Sequence, residues 1–503
     1  MGRAAKVLAG AVLTVTAGAG ACALLWPDRF VVNAPVRHLL FGRGIEAPPP
    51  QTIAARVRGP AGTAVSRFAE GLPNARFLRV TPEGDLLVSL PRAGSVVRLL
   101  ADRDGDGRSD GRAEVVGGLD RPHGLDLHEG WLYAAETGAI GRIRFDPRTG
   151  ATSGGFERVV TGLPSGGNHW TRTLRFGADG WMYVSIGSSC NVCVEEDRRR
   201  AALVRYRPDG SGEEVFATGL RNSVGFDWRP EDGQIYATDN GRDLLGDDFP
   251  PCELNRVERG GFYGWPVANG NRVPDPDLGK GQEARIAASI PPVHGFRAHN
   301  APLGLAFLRG AGVPAEYRGA AVVALHGSWN RTRKDGYKVV SLHWGPDGRV
   351  SERDFLTGFL GPSDDDLIGR PVDVAEAPDG SVYVSDDYAG SVYRVSWGAG
   401  REAAGSSGAA VGERREAGRA TPVAPDVAAR GRALWDRHAC AACHDPKGAQ
   451  AGMVARPLAG LAARYDPTSL ASYLRAPQPP MPAYDLSDAE RGDLALFLLS
   501  QHP

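Results

Sequence analysis

Five segments of this chain repeat one pattern, a turn closed by glycine and then a short alternating strand. They are Pro82-Glu-Gly84-Asp-Leu-Leu-Val-Ser, His128-Glu-Gly130-Trp-Leu-Tyr-Ala-Ala, Ala178-Asp-Gly180-Trp-Met-Tyr-Val-Ser, Glu231-Asp-Gly233-Gln-Ile-Tyr-Ala-Thr and Pro378-Asp-Gly380-Ser-Val-Tyr-Val-Ser. Successive glycines lie about fifty residues apart, a period at which small sheets stack around an axis because none can bury its faces alone. The wider gap between Gly233 and Gly380 leaves room for one divergent unit around Tyr317 to Trp329. The expectation is an all-β six-bladed propeller over residues 62–397, with loops gathered at one end of its axis where a site can form. Abundant turn formers, 67 Gly and 37 Pro in 503 residues, agree with it. A net charge of −1 leaves no electrostatic footprint for nucleic acid.

The other end of the chain carries Cys440-Ala-Ala-Cys443-His444. C-x-x-C-H is the attachment pattern of a c-type haem, two thiols for the porphyrin and a histidine for the iron. No second C-x-x-C at zinc-ribbon spacing and no thioredoxin-like βαβ pattern accompany it. Pro479-Pro480-Met481-Pro482 then offers a thioether in a stiff segment for the sixth iron position; Met453 is the other methionine after the motif. Ser487-Asp-Ala-Glu490 is a capping box opening the apolar run Leu494 to Leu499. A helix, the haem motif, a methionine loop and a closing helix resemble a class I cytochrome c domain, a small all-α unit over residues 425–503. Residues 398–424, rich in Ala, Gly, Ser, Arg and Glu, read as a flexible linker.

At the N-terminus, Arg3 and Lys6 precede an uncharged stretch from Val7 to Trp26. Residues 1–27 are expected to be a transmembrane anchor or a cleaved signal, and 28–61 a linker. Basic residues on the N-terminal side put the remaining chain on the periplasmic side of the membrane. There, Cys190, Cys193 and Cys252 are free to form a disulfide whose pairing the sequence leaves open.

Polar residues collect in the propeller loops at Asn168-His169-Trp170, Gly219-Leu-Arg221-Asn222, Thr238-Asp-Asn240-Gly241-Arg242-Asp243, Cys252-Glu-Leu-Asn255, His326-Gly-Ser-Trp-Asn-Arg331 and Gly369-Arg370-Pro371. From about Pro73 to Val395 these resemble the soluble glucose and sorbosone dehydrogenase family, propellers that bind pyrroloquinoline quinone (PQQ) and Ca²⁺. The resemblance implies that His169 is the general base for a substrate hydroxyl; among the other histidines of the chain, His299 and His326 are the runners-up. It also implies that Arg221 and Asn222 face the cofactor, that Asn240 lies beside its ring, and that the backbone carbonyls of Gly241 and Arg242 hold Ca²⁺. Arg370 falls on an arginine that clamps PQQ carboxylates, and Arg331 is a second clamp by position. Two departures stand out: the family's aspartate behind the base falls on Ser188, and its second clamping arginine on Val372. Either Ser188, Glu195 or Glu196 then orients His169, or base catalysis is weaker. Cys190 and Cys193 read as a local disulfide or as a redox centre.

Asp102-Arg-Asp104-Gly-Asp106-Gly-Arg-Ser-Asp110 places acids as an EF-hand loop does, yet position 12 is Ala113. A second Ca²⁺ and a solvated acidic turn both fit. The function these features imply is a membrane-anchored quinohaemoprotein dehydrogenase. It oxidises a sugar, aldose or sorbosone-like substrate with PQQ and Ca²⁺ and passes electrons through haem c to a respiratory acceptor. The alternative is a propeller that only docks a partner and carries a haem relay.

Overall fold

The computed structural model divides the chain into two compact units, Met1–Ser406 and Ser407–Pro503. It describes residues 31–34, 44–398, 425–444, 458, 461, 465, 467–475, 477, 481 and 484–501. The expected anchor over 1–27 and nearly all of the expected linker over 398–424 lie outside the described residues, as does the side chain of Cys443. No helix among the described residues is long and apolar enough to cross a membrane.

In the first unit, six four-stranded antiparallel sheets follow one another as the blades of a propeller. Five span residues 78–116, 125–161, 172–218, 226–296 and 302–356. The sixth combines three strands of residues 371–397 with Thr63–Ala69, which pairs with Ser391–Trp397, so the first strand of the unit closes the ring with its last. The repeat glycines 84, 130, 180, 233 and 380 all have φ between +67° and +88°. That is the left-handed region, which costs glycine least. The divergent unit forms the fifth blade, whose second strand is Ala321–Leu325. The fourth blade carries an insertion, a hairpin at 268–274 and the helix Glu283–Ala287.

Innermost strands of neighbouring blades abut so closely that side chains have no room at some positions. A Cβ at Gly124 would lie 2.3 Å from Leu174 N, and one at Gly225 2.1 Å from Leu303 O. Every second blade also places an aspartate on its innermost strand as a latch. Asp126 accepts Phe176 N at 2.7 Å, Asp227 accepts Phe307 N at 2.9 Å, and Asp373 accepts Leu78 N at 2.8 Å. Each buried carboxylate thus satisfies a donor of the next blade that would otherwise be orphaned.

Residues 28–61, expected as a linker, are partly built into this unit. Helix Pro50–Arg56 packs Ile53 into the apolar cluster between the fifth and sixth blades, with Val57 just beyond it. Asn33 hydrogen-bonds Trp329 and Asp364 in blade loops. Burial of two β-branched side chains outweighs the Pro-rich lead-in that made the stretch look extended.

The second unit contains helices Pro425–Arg437, Ala441–His444, Pro467–Arg475 and Asp488–Gln501 around a core that includes Leu434, Leu461, Leu470, Leu474, Leu494 and Leu498. The capping box forms: Ser487 N donates to Glu490 Oε2 at 2.9 Å and Glu490 N to Ser487 Oγ at 3.3 Å.

Candidate functional site

Each blade places a histidine or an arginine just before its innermost strand. In order these are Arg76, His123, His169, Arg221, His299 and Arg370. Fold symmetry therefore brings six nitrogen-rich side chains to one end of the axis, where contacts link most of them. Trp170 lies between Arg76 and His123, 5.7 Å from each. Arg221 pairs with Asp243 at 3.0 Å, and His299 Nδ1 lies 3.7 Å from the same carboxylate. Arg370 and Arg76 flank a buried pair, His326 Nε2 to Asp387 Oδ1 at 2.9 Å.

A cavity of about 210 Å³ opens at this end, lined in part by His169, Arg221, Asn222, Asn240, Asp243 and His299. His169 Nδ1 lies 2.8 Å from Ser188 O and 3.0 Å from Ser188 Oγ. A carbonyl can only accept, so Nδ1 carries the hydrogen and Nε2 keeps its lone pair. Ser188 thus orients His169; Glu195 instead takes Ser189 N and Oγ. Burial, and then Arg221, push the His169 imidazole down to about 3, so it is a neutral acceptor at working pH. His326 has the opposite tautomer: Arg370 Nη2 donates to its Nδ1 at 3.1 Å and its Nε2–H faces Asp387. Burial and Arg370 push it down to about 3 as well. Its ring is engaged on both nitrogens, which leaves it no role as base.

Arg221 is buried and fully used. It donates to Asn191 O at 2.9 Å, Asn191 Oδ1 at 2.8 Å, Asn240 O at 3.1 Å and Gly241 O at 2.9 Å, besides its pair with Asp243. Behind it, Asp239 accepts Arg221 N at 2.8 Å and Asn222 N at 2.5 Å. Asp239 stands opposite Glu253 across two strands. Burial pushes both carboxyls up, and Glu253 pushes Asp239 further. Asp243 differs: burial opposes its charge, but His299 and Arg221 hold it below the usual carboxylate range. His299 adopts φ +65°, a conformation rare outside glycine, at the cavity wall.

One expectation is corrected. Arg331 does not join Arg370; it binds Asp247 O and pairs with Asp248 at 3.2 Å. Its loop between the second and third strands of the fifth blade turns it toward the adjacent 247–248 segment. Arg76 is the cation that shares the His326–Asp387 pair with Arg370. In the acidic loop, Asp102, Asp104 and Asp110 bring carboxylate oxygens within 4.8 Å of one another, whereas Asp106 stands outside this group. The Asp106 carboxylate accepts Arg108 N at 2.7 Å, and Asp102 is paired with Arg394 at 2.7 Å. Arg242 directs its guanidinium to Asp275 at 2.6 Å, away from the cavity that Gly241 lines. Cys190 and Cys193 form a disulfide, and Cys252 is a buried thiol.

The donor set fits an anionic planar cofactor. The end of the axis is rich in guanidinium groups, suited to carboxylates. Asn240 Oδ1 is buried without a hydrogen-bond partner at the cavity wall. Gly241 O and Asp243 lie on the same cavity, and both accept hydrogen bonds from the Arg221 guanidinium.

In the second unit, a separate cavity of about 200 Å³ is lined by His444, Met481 and Cys440 together with Trp435, Leu470 and Tyr484. His444 and Met481, on a mostly apolar and aromatic wall that also includes His438, fit a haem with His/Met ligation.

Sequence reasoning passed over Arg76, His123 and Asp387. Counting back from each innermost strand would have found the first two; Asp387 becomes visible only once the sixth blade is folded against the first.

Comparison with known proteins agrees with both units. Residues 426–498 match a model described as cytochrome C oxidase, cbb3-type, subunit III. A pyrroloquinoline quinone-dependent pyranose dehydrogenase of Coprinopsis cinerea is 26% identical over 407 residues, 66% of this chain and 54% of that protein. An uncharacterized protein of Borreliella burgdorferi is 38% identical over 217 residues, 42% of this chain and 56% of its own length. The chain spans about half the length of the curated relatives it matches. Among solved structures, the PQQ domain of the Coprinopsis cinerea pyranose dehydrogenase superposes with a TM-score of 0.59 at 24% identity. It covers 70% of this chain and 98% of the domain. A Trichoderma reesei carbohydrate-active enzyme of family AA12 gives 0.59 at 22% identity, covering 70% and 99%. A model described as TrAA12-like matches residues 58–250 and 277–398, more than half of the chain, and the protein belongs to that family.

Proposed function

We propose that the chain is a quinohaemoprotein dehydrogenase that oxidises a sugar or a related alcohol or aldehyde hydrate and passes the electrons to a respiratory acceptor. In this reading it works on the periplasmic side of a membrane, held by its N-terminal segment. The observation that carries the proposal is His169. It is a neutral imidazole with its Nδ1–H bound to Ser188 O, on a cavity at the basic end of a propeller axis.

Bound PQQ would supply a two-electron acceptor for the substrate hydride, and haem c a one-electron carrier. Asn222, Asn240, Arg370 and Arg76 would hold the quinone cofactor. Gly241 O, with Arg242 O as the second expected carbonyl, and Asp243 would hold Ca²⁺. Cys440, Cys443, His444 and Met481 would hold the haem. His169 Nε2 accepts the proton of the substrate hydroxyl as its hydride leaves. Ser188 keeps the imidazole in the required tautomer, and Arg221, beside Asp243, bears on the charge at the reacting end of the cavity.

The docking alternative rests on Ser188 and Val372. Arg76 supplies a cation that Val372 does not, and Ser188 supplies the acceptor behind His169. His169→Ala tests the catalytic reading. It should leave the haem spectrum and PQQ titration intact and remove substrate-driven haem reduction; retained reduction would rule out His169 as the base.

A further inference from the structure

We infer that the Cys190–Cys193 loop positions the reacting groups, with Asn191 holding Arg221 and the closed disulfide holding Ser188 against His169. This rests on the roles proposed above for His169 and Arg221. The loop connects strands Met182–Ile186 and Ala202–Tyr206 of the third blade. It has little apolar anchorage: the segment is polar around Asn191, and Val194 is 75% exposed. Yet it supplies much of the hydrogen bonding at the cavity's back wall.

One arm reaches His169. Ser188 Oγ donates to Cys190 O at 2.7 Å, which commits its hydrogen and leaves its lone pairs for His169 Nδ1–H at 3.0 Å. Asn168 N donates to Ser189 O at 2.8 Å, tying the residue before His169 to the same loop. The other arm reaches Arg221. Asn191 O and Oδ1 each accept from the guanidinium, at 2.9 and 2.8 Å. Asn191 Oδ1 also accepts Asp243 N at 2.9 Å, and its Nδ2 donates to Asp243 O at 3.1 Å. One asparagine therefore sets both members of the Arg221–Asp243 pair. A disulfide across three residues removes the backbone freedom that a polar surface loop would otherwise keep. Glu195, bound to Ser189 N and Oγ, braces the far side.

The test uses the full haem-containing chain with ring-¹⁵N histidine, as wild type, Cys190→Ser/Cys193→Ser, Asn191→Ala and Asn191→Asp. In the ferrous, PQQ-free state, wild-type His169, assigned by its loss in His169→Gln, should show a single Nδ1–H tautomer. The double serine variant should show averaged ring shifts, with an unchanged haem spectrum. In the PQQ-loaded protein, Asn191→Ala should lower kcat about 10- to 100-fold with KM little changed, because misplacement of about 1 Å has that effect. Asn191→Asp, which keeps the acceptor oxygens, should recover part of it. An unchanged tautomer in the folded double variant, or an unchanged kcat in Asn191→Ala, would overturn the inference; if the double variant does not fold, the Asn191 pair decides. A wild type without substrate turnover would instead defeat the proposed function, while the tautomer reading would still report on the loop.

Discussion

Replacing Ser188 by aspartate should turn a weak base into a stronger one. In the native arrangement a hydroxyl and a carbonyl hold His169 Nδ1–H, and no carboxylate stabilises the imidazolium at that nitrogen. Burial and Arg221 therefore dominate, and the imidazole falls to about 3. A carboxylate placed where Ser188 Oγ stands would centre its charge about 4 Å from the ring. At an effective dielectric of about 20, that attraction is worth about 4 kcal/mol, or about three pKa units at about 1.36 kcal/mol each. Desolvating the new carboxylate at a fully buried position takes part of this back, and Arg221 and Arg200, both close enough to act on His169, offset some of the loss. The net rise expected is about one to three units, which puts the base at pH about 4 to about 6. The sign follows: below the new value the base is protonated, so kcat/KM for substrate-driven haem reduction should acquire an acid limb that the wild type lacks in that range. Above it, the more basic imidazole should raise kcat. The pH profile and the ¹⁵N shifts of His169 are the assays, with thermal melting as a check on folding. A folded variant whose acid limb and ring shifts match the wild type would refute the argument.

Other consequences are smaller in scope. Arg370→Ala removes one of two guanidiniums beside the His326–Asp387 pair and should weaken PQQ binding about 10- to 100-fold, from a charged hydrogen bond worth about 1.5–3 kcal/mol; titration of apoprotein measures it. Met481→Ala should change the haem spectrum and lower the midpoint potential, since thioether ligation raises it; redox titration checks this. Ser487→Ala breaks the capping box and should cost about 1 kcal/mol. For a unit of this size that lowers its melting temperature by about 4–8 °C, readable in the haem band.

The repeat glycines made the blade architecture legible, because a positive-φ turn before an alternating strand is written in residue types. The Ser487–Glu490 box was legible for the same reason, local chemistry at fixed spacing, and Cys440, His444 and Met481 line one cavity. The basic ring was only half legible. His169, Arg221 and Arg370 sit in recognisable loops, whereas Arg76 looks like any surface arginine until the sixth blade brings Asp387 to it. Arg331 misled because its loop motif says nothing about direction, and the 247–248 carbonyl and carboxylate compete for it. The helix at 50–56 was hidden by a run of prolines whose effect is overcome by burial of Ile53 and Val57, a tertiary gain no local pattern shows.

The central claim is that this propeller, loaded with PQQ, delivers substrate electrons to the haem of the same chain. The direct measurement is haem reduction in the protein reconstituted with PQQ and Ca²⁺ and offered aldoses, sorbosone and simple alcohols. The account predicts a rising reduced-haem band with a sugar-type substrate, dependent on PQQ and lost in His169→Ala. No reduction with any of them, together with no PQQ bound on titration, would contradict it.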